Sequence, residues 1–135
     1  MGKIDEACEE VVLQVDGARA CGVMDLHTGL LLGSHTAAEH PQALNKGVAQ
    51  ATRDIFRSPS LDHIRQTLLS HRGLPESGDD SLQEVHIAST HSFHFAKTIR
   101  GGKAVMMLVT GKATNIGMGW AQLKASIPTV EPLIP

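Results

Sequence analysis

A chain of 135 residues, 41% hydrophobic, is long enough to bury an independent core. With three Phe, one Trp and no Tyr, that core must be packed with Leu, Ile, Val, Met and Ala. A formal charge of −2, with scattered Lys and Arg, argues against a nucleic-acid binder, and no segment approaches the roughly 18 apolar residues that would span a bilayer.

The first ten residues are charged and lack an apolar signal core, so a cytoplasmic protein with no membrane insertion is expected. Ile4, Cys8, Val11, Val12 and Val15 fall on one stripe of an amphipathic helix, and Gly17 suits a C-cap, so this helix should end near Val15 or Asp16. Residues 19–26 then alternate, with Ala20, Gly22, Met24 and Leu26 opposed to Arg19, Cys21, Val23 and Asp25. Asp25-Leu26-His27-Thr28-Gly29 is turn chemistry, and 29–34 reads as the return strand of a hairpin. Leu30-Leu31-Leu32 lacks alternation, which predicts cover on both faces. Cys8 and Cys21 read as buried thiols of a reducing compartment, since no Cys-x-x-Cys is present.

A second helix is expected to start near His40 or Pro41, where proline is tolerated. Leu44, Val48, Ala51 and Ile55 lie on one line that should face the sheet, with Lys46, Arg53 and Arg57 on the opposite line. Ala43 and Gly47 flank the core line beside Gln50 and Asp54, small enough to let another backbone approach or simply small surface residues. Ser58-Pro59 ends this helix, Ser60 can cap a short one carrying Leu61, Ile64 and Leu68, and 72–81 reads as an exposed loop.

Three strands follow, over 82–90, 93–100 and 104–110, joined at His91-Ser92 and Gly101-Gly102-Lys103. Val85 and Ile87 share one face of the first. The last is apolar throughout, the mark of a central strand. A final helix over 114–127 presents Ile116, Trp120, Leu123 and Ile127; Pro128 should stop it and leave 128–135 extended. The whole reads as one domain, 1–135: a small antiparallel sheet clasped by helices.

Chemistry is harder to find. His91-x-x-His94 with His86 upstream invites a metal hypothesis, but these residues fall on two strands and a turn, with no Cys or carboxylate cluster beside them. Gly101-Gly102-Lys103 lacks the spacing and the following Ser or Thr of a phosphate loop. No Gly-x-Ser-x-Gly, His-Glu-x-x-His or paired-carboxylate arrangement appears, so neither an enzyme nor a bound cofactor is expected.

The order helix, hairpin, long helix, three-strand meander, helix resembles the roadblock (dynein light-chain, bacterial GTPase-regulator) superfamily. The run Gly22-Val23-Met24-Asp25-Leu26-His27-Thr28-Gly29-Leu30-Leu31-Leu32-Gly33-Ser34 is similar to that family's first hairpin. Glu84-Val85-His86-Ile87-Ala88-Ser89-Thr90 resembles its third strand, and Gly102-Lys103-Ala104-Val105-Met106-Met107-Leu108-Val109 its last. Ala113-Thr114-Asn115-Ile116-Gly117-Met118-Gly119-Trp120 resembles the opening of its final helix. The likeness runs from about residue 4 to 127 and departs at 59–81, where a helix and loop are added.

The resemblance implies an α+β fold of five antiparallel strands with helices on both faces. It implies a homodimer in which second helices pair and third strands meet, placing Ala43, Gly47, Gln50, Asp54, Val85 and Ile87 at the interface. It also implies a small Ras-like GTPase as partner, for which Lys46, Arg53 and Arg57 are the candidate contacts. The alternatives are a metal- or ligand-binding sensor using the sheet histidines, and a purely structural adaptor.

Overall fold

The computed structural model describes residues 2–75 and 81–135. Five antiparallel strands form one sheet in the order β2-β1-β5-β4-β3. They are β1 (Ala18–Asp25), β2 (Leu31–Thr36), β3 (Glu84–Ala88), β4 (Ser92–Ile99) and β5 (Ala104–Gly111). The helices are α1 (Lys3–Gln14), α2 (Leu44–Phe56), α3 (Pro59–His71) and α4 (Ile116–Val130). The α+β class and the five-stranded antiparallel sheet expected above are those observed.

All eight residues of β5 are buried, because both faces of this central strand are covered. On one face, Cys8 and Val11 of α1 and Val15 just after it, with Leu123 and Val130 of α4, pack against Cys21, Val23, Phe93, Phe95, Met106 and Leu108. On the other, Ala49 of α2 packs on Met24, Ala96, Val105 and Met107, with Phe56 and Val85 beside them. The alternation of β1 thus sorts correctly: Cys21 and Val23 face α1, and Met24 faces α2. Cys8 and Cys21 are buried free thiols. They interact under α1, and that contact together with burial pushes the Cys21 thiol well up.

Turn chemistry holds where a side chain could satisfy the backbone. Asp25 accepts from the amides of His27 and Thr28, both at 2.9 Å, and Gly29 sits at φ 78°. These bonds hold the Asp25 carboxyl below its ordinary range, the Thr28 amide contributing most. The β4–β5 connection turns through left-handed Arg100, Gly101 and Gly102 (φ 55°, 64° and 87°), and Glu131 accepts from the Arg100 amide at 2.6 Å.

Several expectations are corrected. The second helix begins at Leu44, after a turn in which Leu44 N donates to the Pro41 carbonyl and Asn45 N to that of Gln42. It is also rotated, so that Asn45, Ala49, Thr52 and Phe56 turn inward; of the expected line, Val48 and Ile55 stay half-buried against the sheet, while Leu44 (51% exposed) and Ala51 turn out. Small Ala49 allows the close approach over Met24 and Met107 that a Leu line would not. Leu30 precedes β2 and is 65% exposed, because β2 is an edge strand rather than a doubly covered one.

The third helix is capped by Ser58, whose hydroxyl accepts from Leu61 N, with Pro59 in the first turn. It buries Leu69, and Leu61, Ile64 and Leu68 stay exposed. Of the loop expected over 72–81, residues 76–80 lie outside the described residues. In α4, Asn115 is the N-cap, Ile116 is exposed, and the helix runs past Pro128 to Val130. The segment after it is not extended: a 3-10 turn over Glu131–Leu133 brings Ile134 into the core.

Candidate protein interface

The two edges of the sheet are finished differently. Along β2, α1 crosses closely at Gly33, where an added Cβ would stand 2.5 Å from Ile4 Cγ2. Asp5 reaches over that edge: one carboxylate oxygen accepts from the Ser34 amide (2.8 Å) and the other from the Gly2 amide (3.0 Å). Both bonds lower the Asp5 carboxyl, the Ser34 one most. Glu9 adds a 3.7 Å contact to His35. An outward backbone donor of β2 is therefore already taken, which blocks strand addition there.

Among the described residues, edge β3 has no such cover. Its five residues pair only with β4, in the register Val85↔Ala96 and Ile87↔His94. On the α4 side, Glu84 is clasped by Lys124 (3.1 Å) and Lys97 (3.4 Å), which hold its carboxyl below the ordinary range, Lys124 most. On the α2 side, Ile87 is 40% exposed and Val85 half-buried.

The outward face of α2 continues this surface. Val48 and Ile55 share a groove with Val85 and Ile87, and Leu44 and Ala51 stand exposed on the same helix. Ala43 and Gly47 are exposed, and a Cβ on Gly47 would meet nothing within 4 Å. Gln50 and Asp54, also exposed, bond to each other at 2.9 Å. Of the residues expected at a pairing surface, Ala43, Gly47, Gln50, Asp54 and Ile87 are exposed in the single chain and Val85 is half-buried against the α2-side core; Leu44, placed in the core by periodicity, is also exposed.

Lys46, Arg53 and Arg57 do not form a plain solvated line. Arg53 donates to the carbonyls of Leu26 (3.2 Å) and His27 (2.8 Å), and packs its stem on Gly29. Arg57 donates more weakly to the same carbonyls, at 3.5 and 3.3 Å. Carbonyls position these guanidinium groups without neutralising them, and no carboxylate pairs with either among the described residues. Lys46 lies two turns before Arg53, exposed.

The sheet histidines do not converge. His86 lies on the α4 side against Phe93, Phe95 and Trp120, with ring centroids 5.3, 5.0 and 6.4 Å away. His94, next on the neighbouring strand, faces the α2 groove, and His91 sits outside both strands. Among the described residues no three of His, Cys, Asp and Glu are grouped to hold a metal ion. The sequence reading missed a different coupling: the charge of His40, from the turn before α2, reaches His94, across 54 residues of sequence that no local spacing reveals.

No protein-family model and no curated protein sequence matches the chain. Solved structures do. A roadblock/LC7 domain from Streptomyces avermitilis superposes with a TM-score of 0.71 at 14% identity, over 98% of each chain. This is the roadblock/LC7 fold. MglC from Myxococcus xanthus shares it at 19% identity and TM-score 0.63, covering 98% of this chain and all of that one. The gliding protein MglB from Thermus thermophilus shares it at 18% identity and TM-score 0.71, over 96% and 87% of the two chains. On the roadblock framework, the open edge is β3 and the uncovered helix beside it is α2. No helix among the described residues is long and apolar enough to cross a membrane.

Proposed function

We propose that the chain is a non-enzymatic, homodimeric regulator or scaffold in the cytoplasm that binds a small Ras-like GTPase. The observation that carries the dimer is the asymmetry of the sheet. Asp5 and α1 seal β2, while among the described residues β3 keeps its backbone edge open at exposed Ile87, and Leu44 and Ala51 stand exposed on α2. A two-fold partner using the same surface would pair that edge and cover the apolar face together. Gly47, with open space where a Cβ would stand, allows α2 of each protomer close approach.

Support for the GTPase comes from the resemblance and from charge. Arg53 and Arg57 are cations held by backbone carbonyls, without a carboxylate partner among the described residues, and Lys46 extends them along the helix. Such a row favours an acidic surface and speeds encounter more than it adds affinity. The role is to bias the conformation of the bound GTPase's switch regions, not to supply covalent chemistry.

The test is capture with purified, tag-free bait from the source lysate, in parallel with GDP and a non-hydrolysable GTP analogue. A Ras-like GTPase should be retained in one nucleotide state only. Because Arg53 also ties down the β1–β2 turn, the variant of choice is Lys46→Glu with Arg57→Glu. It should lose the GTPase by about tenfold or more while its circular dichroism is unchanged. Equal capture by wild type and variant would remove these residues from the contact.

A further inference from the structure

The groove between α2 and the open edge has His94 in its wall. From β4 the side chain emerges between cross-strand neighbours Ile87 of β3 and Val109 of β5. Val48, Thr52 and Ile55 of α2 line the same groove, so both the sheet and the helix offer it apolar side chains or a hydroxyl. Among the described residues, the titratable group whose charge reaches it is His40, before α2. The Nε2 of His40 is itself buried without a hydrogen-bond partner. Neither imidazole is bonded to a carboxylate among the described residues.

We propose that His94, together with His40, makes the pairing surface of α2 and β3 acid-sensitive, so that protonation releases the dimer. This rests on the dimer reading above. A neutral imidazole is tolerated in the groove. A proton on His94 places a cation there with no counter-charge among the described residues, and a second on His40 repels it. Burial, and then the His40 charge, already hold the His94 imidazole below its ordinary range in the single chain. A second protomer seated on Ile87 and α2 removes more water from the groove and disfavours the proton further.

The sign follows from linkage. The dissociated chain binds protons on His94 more readily than the dimer. Association is therefore constant above the ordinary histidine range and weakens as the pH falls through and below it. If pairing lowers the proton affinity of each His94 about threefold, two per dimer amount to about a tenfold weakening.

The measurement is sedimentation equilibrium of the full chain at pH 7.5 and pH 5.5, for wild type, His94→Gln and His40→Gln, with His91→Gln as control. Wild type and His91→Gln should weaken about threefold at the lower pH, short of the tenfold limit because pH 5.5 does not lie below the proton affinity of His94 in both states. His94→Gln, which keeps a polar side chain of similar size without a titrating nitrogen, should self-associate equally at both, and His40→Gln should show a reduced dependence. A dimer indifferent to pH, or one weakened equally with and without His94, would overturn the switch alone. A chain monomeric already at pH 7.5 would overturn the pairing surface, and the switch with it.

Discussion

Gly119 shows how tightly one position can be set. A Cβ there would stand 2.7 and 3.0 Å from two ring atoms of Phe95. That ring is already boxed by Trp120 (5.2 Å, edge-on) and His86. Gly119→Ala gains about 1 kcal/mol of helix propensity, but the ring has nowhere to go, and overpacking costs about 1–3 kcal/mol. Thermal denaturation should show a net loss of stability; a variant as stable as wild type would mean that Phe95 has room to turn. The turn at Asp25 and Gly29 was readable from neighbouring residues because its bonds are local. The contact of Gly119 with Phe95 was not, since a strand and a helix far apart in sequence make it.

At the scale of elements, α1 does two jobs: its apolar stripe covers the sheet, and its first turn closes an edge. Asp5→Ala removes the acceptor of Ser34 N and Gly2 N and should cost about 0.5–1 kcal/mol at neutral pH, the low end because the carboxylate is largely exposed. The folded-state pKa of Asp5 is depressed, so this contribution is present above the ordinary aspartate range and lost as the pH falls through the depressed value. Denaturant titrations of the two proteins should therefore converge in acid; a gap that persists there would assign the effect to something other than the charge. Helix α2 is where periodicity misled. The line Leu44, Val48, Ala51, Ile55 is apolar and regular, but the sheet beneath presents Met24 and Met107, and the helix turns small Ala49 to them. The same reversal occurs in α3, where Leu69 is buried and the periodic Leu61, Ile64 and Leu68 are not. An apolar stripe marks a face that wants cover, without saying whether the chain itself supplies it.

For the whole molecule, the open β3 edge and the outward face of α2 predict self-association. Gly47→Leu should weaken the dimer by crowding the paired helices while leaving the monomer's stability within about 1 kcal/mol, since nothing among the described residues lies within 4 Å of the new side chain's Cβ. Sedimentation velocity checks the first half and thermal melting the second; an unchanged dimer would move the two-fold contact away from Gly47.

The sequence alone determined the α+β class, the helix, hairpin, helix, meander and helix order, and the centrality of β5. These follow from periodicity, turn residues and an unbroken apolar run, all local signals. Only the tertiary structure decided which edge is sealed, which residues of α2 stay exposed, and that Arg53 and Arg57 are held by the carbonyls of a distant turn. It also sent His86 and His94 to opposite faces and brought the charge of His40 to bear on the latter. Each of these depends on two segments meeting across the sheet, and packing chooses those meetings after local pattern has fixed the elements.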